Sequence, residues 1–225
     1  MNSATRVLIT GATGMVGEGV LNACLADASV EAVTVINRRA CGFKHPKLTE
    51  IIHADFLNLS AAENSLSGFD ACFFCLGVSS VGMKEPEYTR VTHDLTLHMA
   101  GLLSRLNPGM TFCYVSGEGT DSSGKGRMMW ARVKGRTEND LMKLPFRQVF
   151  AFRPGFMKPD QGATNVLKSY KMLGWMYPLL HILFPGHSCT LREVGKAMIN
   201  TVRIGYEKKV LEVKDIAALA KRPGY

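Results

Sequence analysis

Three glycines spaced by three, Gly11, Gly14 and Gly17, follow the short apolar run Arg6-Val7-Leu8-Ile9-Thr10 and open a stretch of helical character from Met15 to Ala26. A strand that turns at once into a helix needs a residue tolerant of unusual backbone angles, which Gly11 supplies. The missing Cβ at Gly14 lets an anion approach the main chain, and the one at Gly17 lets helix and strand pack closely. The main chain from Thr13 through Met15 and Val16 to Gly17 then faces the pocket, helped by the positive end of the helix dipole. A glycine-rich turn that binds nothing is the bland alternative. Because this one opens a helix directly after a strand, it predicts a site for a dinucleotide pyrophosphate.

The next β-rich run, Glu31 to Ile36, ends at Asn37-Arg38-Arg39. Asn37 lies twenty residues beyond Gly17, where an NAD site usually carries a carboxylate for the ribose 2′-hydroxyl. Here an amide stands instead, and two guanidinium groups follow. An Asp would repel a 2′-phosphate, whereas arginine grips one through charge-assisted bonds worth roughly 1.5–3 kcal/mol each. Solvated arginines at a strand end would look the same locally, but position and missing acid together point to NADP(H) rather than NAD.

The 225 residues suffice for one sizeable α/β domain and barely for two. The Met1–Thr5 lead is polar, so no signal peptide is expected, and no apolar run reaches the ~20 residues of a spanning helix. Six cysteines without a disulfide framework's spacing suit a reducing cytoplasm. Cys72 and Cys75 mimic a C-x-x-C pair, yet in a strand an offset of three sends the sulfurs to opposite faces, so both are expected in the core and no metal site is. The net charge of +8 is spread along the chain without aromatic–basic interleaving, which argues against nucleic acid.

Strand and helix signals alternate to about residue 155. Expected strands end at Ile51-Ile52-His53 and run over Phe69–Leu76, Met110–Ser116 and Arg147–Arg153; expected helices cover Pro86–Leu106 and Lys125–Lys143. Short βα connections imply a Rossmann-like, doubly wound parallel sheet with its crevice at the strands' C-terminal edge. We expect one domain over 1–225: a nucleotide-binding core at 1–155, a helical region covering the crevice at 156–205, and a terminal strand and helix at 206–225. Within the middle part, Asn165–Phe184 is apolar and Met-rich. It is expected to cover the crevice, with a homodimer contact or a membrane surface as alternatives. Thr190 and Glu193 form a capping-box pattern ahead of an amphipathic helix to Arg203.

Two further segments bear on chemistry: Tyr114-Val115-Ser116-Gly117 at the fifth strand's end, and Trp130-Ala131-Arg132-Val133-Lys134-Gly135 in the helix after it. With Thr10–Gly17, Asp55 and Arg153-Pro154-Gly155, they resemble the short-chain dehydrogenase/reductase superfamily over nearly the whole chain. The closer likeness is to atypical members around the Tat-interacting-protein-like and NAD(P)-binding, epimerase-like groups. The resemblance implies that Lys134 holds the nicotinamide ribose and that Ser116 orients a substrate carbonyl. It also implies that Asp55 binds the adenine amino group with Phe56 beside the ring, that Cys75, Leu76 and Gly77 pass the adenosine ribose, and that Arg153, Pro154 and Gly155 run beside the nicotinamide. The family's catalytic Tyr, one turn before the Lys, is here Trp130, whose indole has no proton to transfer. Tyr88, His93, His98, Tyr114, Tyr177 and His181 are the candidate substitutes, and none is assigned.

The expectation is therefore a cytoplasmic NADP(H)-binding oxidoreductase or epimerase-like enzyme with an altered active site, acting on a small molecule. Its rival is an NADP(H)-sensing binding protein without turnover. A membrane-peripheral protein using 165–184 is a distant third.

Overall fold

The computed structural model describes residues 5–159, 164–165 and 186–223. Within them β1 (Thr5–Thr10) leads through the glycine turn into α1 (Met15–Ala26), followed by β2 (Val30–Asn37), β3 (Leu48–Ile52) and β4 (Ala71–Phe74). A helical stretch comes next: α2 (Glu85–Thr89), a π turn (Arg90–Asp94) and α3 (Leu95–Leu106). Then follow β5 (Thr111–Val115), α4 (Met129–Leu141), β6 (Gln148–Arg153), β7 (Phe156–Lys158), β8 (Ser188–Thr190), α5 (Leu191–Ile204), β9 (Val210–Glu212) and α6 (Val213–Ala220).

Seven strands form one parallel sheet in the order β3-β2-β1-β4-β5-β6-β9. Chain direction across the sheet reverses between β1 and β4, the switch point at which ligands of open α/β sheets bind. Alternate side chains feed two cores. Val7, Ile9, Phe73, Cys113, Phe150 and Phe152 pack against α1, α5 and α6. Leu8, Cys72, Phe74, Phe112 and Tyr114 pack against α3 and the end of α4. Cys72 belongs to the second core and Cys75 lies against the first, on opposite faces as the offset of three requires.

Several boundaries differ from the sequence expectation for local reasons. The fourth strand stops at Phe74, leaving Cys75, Leu76 and Gly77 in the connection. The helix after β5 starts at Met129 rather than Lys125. Asp121 holds the preceding loop in a turn, accepting from the Ser123 N–H and hydroxyl and from the Gly126 N–H, and Gly124 adopts φ +69°. The expected 86–106 helix contains the π turn, whose buried His93 bonds to Asp94 and to Asp140 of α4. A two-stranded parallel sheet, β7 with β8, was not expected. The capping box at α5 is present: Thr190 Oγ1 accepts from the Glu193 N–H, and Glu193 Oε2 from the Thr190 N–H. Residues 166–185, which carry most of the apolar segment with Tyr177 and His181, lie outside the described residues.

Candidate functional site

The glycine turn divides its work among its members. Gly11 has φ +71°, and a Cβ there would stand 2.8 Å from the Cys75 carbonyl and the Leu76 nitrogen, so β1 and β4 can converge only on a glycine. A Cβ on Gly17 would run into the Gly11 carbonyl. Gly14 is different. Among the described residues its Cβ would meet only the Gly11 oxygen, at 3.4 Å, so their packing tolerates a side chain there. Gly14 is the N-cap of α1 and, having no side chain, makes no cap bond to the first-turn N–H groups. Met15 packs into the core, so that position offers main chain, while Thr13 is only partly covered and keeps its hydroxyl at the turn.

Asn37 ends β2 at the floor of this turn. It is 3% exposed, and its Oδ1 accepts from the Ala12 N–H at 3.2 Å. Its Nδ2 is buried without a hydrogen-bond partner among the described residues. A buried amide donor left unmatched costs about 1–3 kcal/mol, so an acceptor arriving in this turn would be favoured. Arg38 and Arg39 follow, both exposed, and no described residue pairs with either guanidinium. These features fit an anionic nucleotide. After β3, the Asp55 side chain accepts from the Leu57 N–H at 2.9 Å in an exposed turn. Phe56 departs from expectation: it points into the second core at 4% exposure, and supports the turn from below instead of offering its ring to adenine. The Cys75 carbonyl and the Leu76 nitrogen lie against Gly11 across the switch point, with the Leu76 N–H donating to Thr10 Oγ1 at 3.2 Å, and Gly77 follows in the connection.

Across β5 the α4 helix presents Trp130, Lys134 and Glu138 at successive turns, on one face. Lys134 Nζ donates to the Ser116 carbonyl oxygen, which fixes the ammonium at the end of β5. Burial lowers its pKa to about 8, with Glu138 one turn on opposing part of the shift. Trp130 lies over the loop after β5, so close that a Cβ on Gly119 would sit 3.4 Å from its Cη2. It fills the tyrosine position with a carbon surface.

Ser116 requires correction. Its hydroxyl donates to Glu138 Oε1 at 2.5 Å, with the Phe152 carbonyl 3.1 Å away, and the residue is 3% exposed. It braces the interior and does not offer a donor to a substrate. Arg153 is corrected in the same way. Its guanidinium pairs with Glu138 (Nε–Oε1 3.0 Å, Nη2–Oε2 2.5 Å) and with Glu212 at 3.1 Å, so only the backbone of 153–155 is left to face a cofactor. Pro154 O accepts from the Glu118 N–H at 2.9 Å, and a Cβ on Gly155 would strike the His187 carbonyl.

The substitute acids fare no better. Tyr114 is buried in the second core, where desolvation raises its phenol far above the usual range; Tyr88 is buried and raised for the same reason. His93 is held by two aspartates, and His98 is exposed on α3 beside Leu57 and Asn58, remote from Lys134. Sequence reasoning missed Glu138 altogether. The signal was available, since Glu138 continues the i, i+4 row of Trp130 and Lys134. It also missed Glu18, which directly follows Gly17. Buried in the first turn of α1, its carboxylate accepts from the Thr164 N–H, the Thr164 hydroxyl and the Asn165 N–H at 2.7–2.9 Å.

The profile of the NAD dependent epimerase/dehydratase family matches residues 7–124, just over half of the chain. The chain belongs to this family. Solved structures with the same fold include Helicobacter pylori ADP-L-glycero-D-manno-heptose-6-epimerase, at TM-score 0.67 and 17% identity over 98% of this chain and 82% of that one. Another is the Bordetella bronchiseptica enzyme WbmF in complex with NAD+, at TM-score 0.66 and 14% identity over 97% and 77%. The relationship agrees with the resemblance to atypical short-chain dehydrogenases, and makes the chain a member of an NAD(P)-dependent family. Among curated relatives, "Protein FMP52, mitochondrial" of Chaetomium globosum is 25% identical over 235 residues, covering 95% of this chain and 96% of its own. "Protein fmp52-1, mitochondrial" of Aspergillus oryzae is 30% identical over 167 residues, covering 72% and 69%. These names overturn the expectation of a cytoplasmic protein. That expectation rested on six cysteines, all free thiols here, and unpaired thiols report a redox environment rather than a compartment.

Proposed function

We propose that the chain is an NADP(H)-binding member of the epimerase/dehydratase family whose site keeps the cofactor-holding groups and has lost conventional carbonyl reduction. The observation that carries cofactor choice is the end of β2, where a buried amide replaces the acid and two unpaired guanidinium groups follow. Isothermal calorimetry tests it: NADPH should bind more tightly than NADH, and Arg38→Ala should weaken NADPH far more than NADH. Equal affinities for the two nucleotides would sink the assignment.

The loss of turnover follows from two substitutions of role. Trp130 has no transferable proton, and the Ser116 hydroxyl is spent on Glu138. When bound, the nicotinamide supplies hydride transfer; this chain's own contribution to proton transfer would ordinarily be worth roughly 10²–10⁴-fold. Wild-type protein should therefore bind NADPH yet oxidise it slowly, if at all, with small aldehydes and ketones. Trp130→Tyr sets a phenol one turn before the Lys134 ammonium and should raise that rate. Robust wild-type activity that falls on this change would show instead that the indole serves a working mechanism.

One observation favours a second reading, a reductase that uses Lys134 itself as the acid. An ammonium with a pKa of about 8 is a far better proton donor near neutrality than an ordinary lysine. On that reading kcat would fall with rising pH about a midpoint near 8, and Lys134→Arg would abolish turnover.

A further inference from the structure

The molecule carries a second concave surface at the end opposite the glycine turn. There α1 finishes and Asp27 leads through Ser29 into β2, at the edge where the strands begin. Asp27 just after α1, the outer face of α5 and the end of α6 with the chain after it enclose a groove of about 480 Å3. It continues into a smaller one of about 260 Å3, and the two share Asp27, Arg192 and Lys196.

Five cations line the larger groove, Arg192, Lys196, Arg203, Lys221 and Arg222, against the two carboxylates Asp27 and Glu193. Both carboxylates are committed to local caps. Asp27 Oδ1 accepts from the Ser29 N–H and hydroxyl at 2.9 and 2.6 Å, and Glu193 Oε2 from the Thr190 N–H and hydroxyl at 2.8 and 3.0 Å. The groove is also built. Asn200, 6% exposed, donates from Nδ2 to the carbonyls of Leu219 at 2.9 Å and Arg222 at 3.1 Å, which holds the chain carrying Lys221 and Arg222 against α5.

Arg222 meets Glu207 at 4.0 Å and the Tyr206 ring, but folding alone does not account for Arg192, Lys196 and Lys221. Arg203, in the last turn of α5, suits the helix dipole, but Arg192 lies in the first turn, where a cation opposes it. Lys196 repeats the charge one turn later, and like charges at that spacing weaken a helix. No described residue pairs with the side chain of Arg192, Lys196 or Lys221. The row from Arg192 to Arg203 extends roughly 16 Å along α5 at 1.5 Å per residue, more than a single phosphate reaches.

We infer that this groove docks the protein on a membrane surface by binding phosphates of anionic phospholipid headgroups, with the nucleotide site at the opposite end left open. Co-sedimentation of the full chain with vesicles tests it, using phosphatidylcholine alone and phosphatidylcholine with cardiolipin. Wild-type protein should pellet only with the anionic vesicles, and less so as salt is raised. Combining Arg192→Gln, Lys196→Gln and Lys221→Gln should weaken vesicle binding on the order of 100-fold, since each cation near such a surface contributes about one decade or somewhat less. NADPH affinity, read by calorimetry at the distant site, should not change. A control with the same charge loss elsewhere, Lys44→Gln, Lys84→Gln and Lys125→Gln, should keep most of the vesicle binding. Failure of the wild type to pellet, undiminished binding by the groove variant, or equal loss in the control would each overturn the inference. Calorimetry with pyrophosphate covers the soluble source: binding of it without any vesicle binding would assign the groove to a free anion and refute the membrane role.

Discussion

Lys134 shows how much a single residue's surroundings add to its identity. In the unfolded chain its ammonium titrates at 10.5, while in the folded protein burial brings it to about 8. Between those values the unfolded state binds more protons, so this group makes stability rise with pH across the window, and its burial cost is fully present below 8. Lys134→Met removes that titration. Urea unfolding of both proteins should show the wild type gaining on the variant from pH 8 towards 10.5, and a constant difference would mean that the ammonium stays solvated. The lysine itself was legible in the sequence, because it stands four residues after the tryptophan in a helical stretch that follows a strand. The direction of the Ser116 hydroxyl was not legible. It depends on Glu138, an acid buried only because Arg153, from a different strand, meets it at 2.5 Å. Sequence position names the residues near a crevice, and long-range pairing decides which of them turn away from it.

Elements were readable where they carry periodicity or a cap, and unreadable where they do not. The continuous apolar runs of β1, β4, β5 and β6, buried on both faces, were enough to place each strand within a residue or two. The three-residue strands β7 and β8 have no period to detect, and they exist because the chain at 156–158 meets the chain at 188–190. The start of α4 was misjudged because Asp121 takes N–H groups that a helix would otherwise use. At α5 the local signal and the structure coincide. Thr190→Ala removes the oxygen that accepts from the Glu193 N–H at 3.1 Å and should lower global stability by about 1 kcal/mol in chemical denaturation, with no change in NADPH affinity. A loss of nucleotide binding in that variant would show that the α5 cap is coupled to the crevice through β8, which pairs with β7 just beyond Gly155.

At the scale of the molecule, the strand order and the glycine turn are one fact seen twice. The sheet reverses direction between β1 and β4, and Gly11 is the residue that lets the ends of those two strands meet. Substituting different glycines should therefore separate the fold from the ligand. A side chain at Gly17 must displace the Gly11 carbonyl, so Gly17→Ala should lower the melting temperature of the unliganded protein. At Gly14 the backbone is extended, φ −106° and ψ 164°, and among the described residues the only neighbour of a new Cβ is an oxygen at 3.4 Å. Gly14→Val should melt close to the wild type without ligand, since its side chain projects into the approach to the helix end. Ligand linkage then gives the readout: nucleotide at a hundredfold its Kd stabilises a binding-competent fold by about 2.7 kcal/mol. NADPH should thus raise the wild-type melting temperature by several degrees and leave Gly14→Val where it was. A Gly14→Val protein that still shifts with NADPH would put the phosphates somewhere other than this turn, and one that melts early without ligand would show that the fold, and not only the nucleotide, needs the glycine.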